Sequence, residues 1–496
     1  MIELKDEMKW EYFKQGMLQK ISYNLGIATL SRGIIGGLSL VVVGILTRFL
    51  GPEGFGQYSA IFAYLFIFTA TADLGLYTFM VREISRTSEP TEERKIASKI
   101  FTLRLLAVVS IIILADLLIF AFPYPLKVKL GVLIASLFSI GASLVQVLTG
   151  IFQKYLRIYL VSFSDILARL VQLGSLVILI KFETGLLWFV AVVVFSEAVH
   201  FGLIYGFSRR MVKVKPMIDF AYFHHALKAA LPIAVSLVLV LIYFKLDTVM
   251  LSVMKPARDV GIYSAAYKVL EAVIFLPAIY IGLVMPFLSR FAVKSRVEFA
   301  KTFRRAFNVI TIFALYFSVY IFLMSDWIVK AIGGGAFLEA SPVLKILSFA
   351  IFLIFFGNLG GNAIIALNLQ KKAMWIYLTG AVINVGLNFL LIPKYTYFAA
   401  ASTTVITEIF ITITMFWLIR RSIKIAVSKT LFAKTILVGA IIVALMYPLT
   451  NNFVKASMVS FLYFPLLLAL GVFTRADLRE ILSLKKSPGL SEEIES

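Results

Sequence analysis

Apolar residues fill this chain in stretches of about twenty, the length an α-helix needs to cross the hydrocarbon core of a bilayer. Fourteen such stretches occur, at roughly 24–50, 55–81, 100–122, 130–152, 159–181, 184–207, 226–253, 259–289, 306–332, 343–368, 374–393, 397–418, 435–449 and 456–473. The segments between them are too short to hold a soluble catalytic domain. The pattern predicts an all-α polytopic membrane protein with about fourteen transmembrane helices. Ahead of the first stretch, Trp10, Phe13, Met17 and Ile21 fall on one helical face among charged residues. This predicts an interfacial helix over 1–23 rather than a cleaved leader.

The chain also repeats itself. Gly56-Gln57-Tyr58-Ser59-Ala60 returns 205 residues later as Gly261-Ile262-Tyr263-Ser264-Ala265. Each copy follows a short Pro-containing loop (Gly51-Pro52-Glu53, Lys255-Pro256-Ala257) and opens an apolar segment ending in Ser-Arg. An internal repeat at half-molecule scale predicts two pseudo-symmetric six-helix lobes, as in transporters built from related halves. The expected divisions are an N-lobe over 24–207, an inter-lobe linker over 208–225 and a C-lobe over 226–418. A basic loop with two appended helices follows over 419–473, then a tail over 474–496. Even numbers of spans make the copies parallel, and a solute site is expected between them near mid-membrane. The repeated glycines and tyrosines read first as turn and packing elements, because small residues let membrane helices approach closely.

Composition sharpens this picture without changing it. Hydrophobic residues make up 60% of the chain and charged residues 15%, with a mean hydropathy of +0.94. The net charge of +21 could suggest nucleic acid, but its distribution says otherwise. With the N-terminus inside, the inner segments carry 32 Lys and Arg and the outer loops nine. That asymmetry is the positive-inside rule, so both termini are expected to be cytoplasmic, with the basic segments against anionic lipid. The chain has no cysteine, which excludes disulfides and thiolate chemistry. No phosphate-binding Gly-x-x-x-x-Gly-Lys-Ser/Thr loop is present, and the histidines are too few and ill-spaced for a metal site. No cofactor is expected beyond a coupling H⁺ or Na⁺.

Ionisable residues inside the spans are the candidate chemistry, because each costs several kcal/mol against lipid, about 2.5–3.5 on insertion scales. The bases Arg32, Arg104, Arg169, Lys245 and Lys268 could form a cationic path for an anionic headgroup, and arginine suits phosphate bidentately. Lys228 lies close enough to the inner surface to snorkel. Asp165 with Arg169, and Lys268 with Glu271, have the spacing of in-helix ion pairs. Arg32 and Arg104 lack such a partner. The acids Asp73, Asp165, Asp247, Glu271 and Glu408 are candidates for ion coupling, since a buried carboxylate can take a proton or ligate Na⁺. Gly357-Asn358-Leu359-Gly360-Gly361-Asn362 suggests a broken helix lining a cavity, with Asn358, Asn362, Asn384 and Asn388 as candidate sugar contacts. Helix–helix hydrogen bonding is the other role open to those amides.

Arg48-Phe49-Leu50-Gly51-Pro52-Glu53-Gly54-Phe55-Gly56-Gln57-Tyr58, then Asp73-Leu74-Gly75-Leu76 and Val81-Arg82-Glu83-Ile84, resemble the opening of Wzx-type polysaccharide flippases. These belong to the multidrug/oligosaccharidyl-lipid/polysaccharide exporter superfamily. Asp247-Thr248-Val249-Met250-Leu251, followed by Val260-Gly261-Ile262-Tyr263-Ser264-Ala265-Ala266, resembles its second-lobe signature. The resemblance covers essentially the whole chain. It implies a flippase, not an enzyme, that moves a polyprenyl-phosphate- or pyrophosphate-linked oligosaccharide from the inner to the outer leaflet of the plasma membrane by alternating access. Glycosyltransferases or a polymerase of the same pathway are the expected partners, and an ion gradient or the membrane potential the energy source. A cation-coupled multidrug exporter and a peptidoglycan-precursor flippase share the architecture. An exporter of organic cations calls for an acidic or aromatic cavity, which the basic path argues against.

Overall fold

Helices account for nearly every described residue, as a chain of this hydropathy requires: in lipid each backbone polar group must be satisfied within its own segment. The computed structural model describes residues 2–73, 75–87, 89–182, 184–423 and 429–472, without the side chains of 2–29, 231–244 and 429. The amphipathic face of 1–23, part of the basic loop and the tail 474–496 lie outside the described residues. In chain order the helices are α1 (Ile2–Ala72), α2 (Leu76–Arg86), α3 (Pro90–Leu118), α4 (Leu126–Lys154) and α5 (Ile158–Ile180). Then come α6 (Leu186–Arg209), α7 (Phe220–Met254), α8 (Ala257–Val273), α9 (Phe275–Lys294) and α10 (Arg296–Gly333). The last five are α11 (Ala340–Ala366), α12 (Gln370–Ser422), α13 (Lys429–Met446), α14 (Phe453–Ser460) and α15 (Tyr463–Ala469).

Breaks in the helices follow local chemistry. Inside α1, Gly51 sits at φ 65, ψ 179, a conformation open to glycine, and Pro52 removes the next amide donor. Inside α12, Thr396 takes φ 51 three residues after Pro393. Between α8 and α9 the helix breaks at Ile274, and Pro277 explains it: proline offers no N–H to the carbonyl four residues back. The glycine-rich segment 357–362 behaves otherwise. Contrary to the expected break, α11 runs unbroken through it. Asn358 and Asn362 donate to the carbonyls of Ile354 (3.2 Å) and Asn358 (2.9 Å), while Gly360 packs against Met415 and Phe416. These glycines serve close packing and leave the helix intact.

Among the described residues, ten helical runs are long and apolar enough to cross a membrane. Two pairs of expected spans are fused into the single runs Leu30–Arg86 and Gln370–Ser422, the apolar helix Phe453–Ala469 is shorter, and α7 lies partly outside the described side chains, so length and composition yield ten where the pattern predicts about fourteen.

The chain forms two compact units. The first comprises Met1–Ala272, Val329–Val343 and Tyr377–Thr407. Ile61, Tyr64, Val108, Ile112, Val132 and Val190 form one of its cores, and Met80, Ile100, Leu148 and Phe152 belong to another. The extended segment after α6 is strapped to α3 in this unit. Lys215 N donates to Ser98 Oγ at 3.1 Å, and Met217 N to Thr102 Oγ1 at 2.7 Å. Lys99 then pairs with Asp219 at 2.7 Å, and Asp219 caps α7 by accepting from Tyr222 N at 2.9 Å. The Lys99 hydrogen bond, then the Tyr222 amide, hold the Asp219 carboxyl below its usual range.

The second unit comprises Val273–Ile328, Leu344–Ile376 and Glu408–Ser496. Here α13–α15 dock on α10, with Val438, Ile442, Met446, Tyr463 and Leu467 packed around Ile312 and Met324. Tyr463 donates to the Ile312 carbonyl at 3.0 Å.

Candidate functional site

The two copies of the repeated motif meet each other, within the first unit. A Cβ on Gly56 would fall on the carbonyl of Ala257 and 2.9 Å from Gly261 N; a Cβ on Gly261 would fall on the carbonyl of Pro52 and 3.1 Å from Gly56 N. Each glycine therefore covers the residue four before the other. The contact is reciprocal, as a local two-fold demands. Ties beside it hold the same face together. Thr47 donates to the Ile332 carbonyl (3.0 Å) and Arg48 to that of Ala331 (2.6 Å). Arg258 pairs with Glu339 (2.7 Å), and that hydrogen bond holds the Glu339 carboxyl below its ordinary range.

Beside this contact, α7 and α8 carry two polar clusters. In the first, Asp247 is 2% exposed, and Asn384 and Asn388 are fully buried. Its carboxylate accepts from Asn388 Nδ2 (2.6 Å), Thr404 Oγ1 (2.6 Å) and Tyr263 Oη (3.2 Å). Asn388 Nδ2 also donates to Asn384 Oδ1 at 3.1 Å. The described residues place no Lys or Arg on Asp247 among their ion pairs. Asn388 Oδ1 and Asn384 Nδ2 are buried without a partner, an arrangement that native interiors seldom leave unexplained.

The second cluster joins two lysines through one acid. Glu271 takes Lys245 on one oxygen and Lys268 on the other, the latter at 2.6 Å. All three side chains remain partly open, at 19%, 38% and 29% exposure for Lys245, Lys268 and Glu271. The in-helix pair Lys268–Glu271 expected from spacing thus forms, and it gains a cation from α7.

Of the other candidates, Arg104 is 1% exposed and saturated across helices. It pairs with Asp73 at 2.8 Å and donates to the Ala72 carbonyl (2.6 Å), Gln146 Oε1 (2.8 Å) and the Ser143 carbonyl (3.4 Å). Its lack of an in-helix partner said nothing about partners on α1 and α4. Arg169 sits 3.7 Å from Asp165 and donates to Gln172 at 3.1 Å. Arg32 and Lys228 are exposed. Glu408, in the second unit, is 4% exposed and lies against Gly357. Asn358 and Asn362 spend their amides on their own helix, whereas Asn384 and Asn388 belong to the Asp247 cluster. Tyr263, Thr404 and Gln146 were not legible as site residues; polar positions interrupting apolar spans were the signal available.

Comparison with known sequences decides the family. The sequence pattern of the family described as "Polysaccharide biosynthesis protein" matches residues 21–292, more than half of the chain. The chain belongs to that family. The MatE pattern matches residues 232–390, so the membership of the wider exporter superfamily expected from the motifs is borne out. Among curated proteins, this family member is 23% identical over 384 residues to the capsular polysaccharide biosynthesis protein CapF of Staphylococcus aureus, covering 76% of this chain and 93% of that protein. Among solved structures it resembles the lipid II flippase MurJ in an inward closed conformation, with a TM-score of 0.75, 16% identity, and coverage of 89% of this chain and 97% of MurJ. An inward-facing multidrug resistance MATE family transporter gives a TM-score of 0.63 at 14% identity, over 79% and 94% of the two chains. At such identities these likenesses establish the fold alone: an all-α, multi-pass membrane architecture.

Proposed function

We propose that this polysaccharide biosynthesis family member is a flippase that carries a polyprenyl-phosphate- or pyrophosphate-linked oligosaccharide from the cytoplasmic to the outer leaflet of the plasma membrane by alternating access. The observation that carries the reading is the Lys245–Glu271–Lys268 triad, two cations sharing one carboxylate and all partly open. A phosphate can displace Glu271 from either lysine, and the exchange leaves no buried charge unpaired. Arg32, exposed at the expected inner end, supplies a first contact, and Arg169 an intermediate one. Arg104 serves as structure. The lobes 24–207 and 226–418 rock about the substrate while the lipid tail stays in the bilayer. Both termini face the cytoplasm, following the positive-inside asymmetry.

Cation coupling belongs to the Asp247 cluster in this reading. One carboxylate surrounded by Asn384, Asn388, Thr404 and Tyr263 offers several hard oxygens and a single negative charge, which suits Na⁺ better than a divalent ion. Turning the Asn388 amide over would replace a donor by its orphaned Oδ1 and add a ligand. The two amide ends are interchangeable in shape, so the flip costs little space.

Exchanging all three members of the triad for glutamine (Lys245→Gln, Lys268→Gln, Glu271→Gln) removes its charge and strands no partner. Leaflet-resolved translocation of a synthetic pyrophosphate-linked glycan in proteoliposomes should fall at least about tenfold, the loss of one to two charge-assisted contacts. Wild-type rates in the triple variant would remove the triad from the substrate path.

A further inference from the structure

Two tyrosines stand between the Asp247 cluster and the lysine triad: Tyr263, a member of the first, and Tyr267, beside Lys245. On α8, Tyr263, Tyr267 and Glu271 are spaced four residues apart and so form one stripe. On α7, Asp247 and Lys245 are two residues apart and face different sides of the helix. The stripe links them. Tyr263 donates to Asp247 Oδ2 at 3.2 Å, its ring lies 5.5 Å from that of Tyr267 at a 32° tilt, and Lys245 Nζ stands 5.1 Å over the Tyr267 ring. Tyr263 is fully buried and Tyr267 4% exposed. The two rings form a chain of contacts from the Asp247 carboxylate to the Lys245 ammonium, and both are almost wholly removed from solvent.

We propose that Tyr267 is a positioning residue that couples the two sites, making a cation at Asp247 and an anion at Lys245 and Lys268 bind more tightly together than apart. The inference rests on the reading of Asp247 as a cation site and the triad as an anion site. Its physical basis is the local medium. Charges interact many times more strongly through a dry, weakly polarisable path than through water. With Asp247 unoccupied, its negative charge opposes an incoming phosphate a few residues away. A bound cation cancels that charge and the opposition ends. The Tyr267 ring keeps the path dry and, through the cation–π contact, fixes where Lys245 stands. Its hydroxyl is dispensable for this, whereas its ring is not. Coupling of this kind is reciprocal, so the anion strengthens cation binding by the same factor.

The test uses the full chain in detergent, sodium as the cation and farnesyl pyrophosphate as a soluble anion probe. Sodium affinity is measured by calorimetric titration with and without saturating probe. For the wild type, the sodium dissociation constant should fall about tenfold when the probe is present, within the ordinary range for coupled sites. Tyr267→Phe should keep that shift. Tyr267→Leu should bind each partner alone within about threefold of wild type and reduce the shift to less than about twofold. If the leucine variant does not fold, Tyr267→Met, which fills the length without a ring, takes its place with the same expectation. A full shift in the ringless variants, or a wild type that binds both partners without any shift, overturns the coupling role and leaves the two sites standing. A wild type that binds no sodium overturns the cation site, and the coupling with it.

Discussion

Replacing Arg104 by alanine will cost about 3–5 kcal/mol of stability, the usual loss when one partner of a buried ion pair is removed. The guanidinium is 1% exposed and gathers Asp73, the last carbonyl of α1 and Gln146 of α4 around α3. Without it Asp73, 8% exposed, becomes a buried unpaired carboxylate, and the Ala72 carbonyl at the end of α1 loses the guanidinium donor. Pairing Arg104→Met with Asp73→Asn should recover much of the loss, because the second change removes the stranded charge. Denaturant unfolding in micelles, run as a double-mutant cycle, gives both numbers. A loss below about 1 kcal/mol in Arg104→Ala, together with abolished translocation, would instead assign this residue to substrate.

The repeated glycines should be equally intolerant, for a different reason. Alanine at Gly56 or Gly261 places a methyl group on the backbone carbonyl of the opposite copy. A flexible side chain could move aside, but two helical backbones cannot without separating. Overpacking of this sort costs about 1–3 kcal/mol and occasionally more, all of it directed against the state in which the two copies touch. Each single variant is therefore expected to retain membrane insertion and to lose translocation by at least about tenfold, since 1.4 kcal/mol is a factor of ten. The absence of cysteine makes a direct check possible. Maleimide labelling of a cysteine introduced at Phe55 should rise sharply in Gly261→Ala, because that side chain is 1% exposed and packs on Phe337, far along the chain from its own helix. Unchanged labelling would mean that the copies separate without consequence.

These two cases also show what the sequence made legible. Uninterrupted apolar runs fixed the class of fold, because a bilayer admits few alternatives, and predicted spans such as 159–181 and 343–368 lie close to α5 and α11. The echo at Gly56 and Gly261 identified the pivotal repeat but could not reveal that the two copies touch, since close approach is a relation between distant segments. Pairing rules worked along one helix: Lys268–Glu271 and Asp165–Arg169 both form. They failed across helices, where Arg104 finds Asp73 and Lys245 finds Glu271. The glycines of α11 misled for a related reason. A membrane helix uses glycine for contact at least as readily as for bending, while the break that does occur at Ile274 comes from a proline three residues further on. Thr404 acquires its chemistry only from Asp247, so no local pattern marks it, whereas the repeat marks Tyr263 as packing and not as a partner of Asp247.

One measurement bears most directly on the central claim. Full-length protein is reconstituted into liposomes with a fluorescent polyprenyl-pyrophosphate oligosaccharide in one leaflet, and its appearance in the other is followed with and without a sodium gradient. The account predicts translocation well above that of empty liposomes, an acceleration of about tenfold by the gradient, and loss of that acceleration in Asp247→Asn with basal movement retained. Transfer no faster than in empty liposomes, in either gradient, would contradict it.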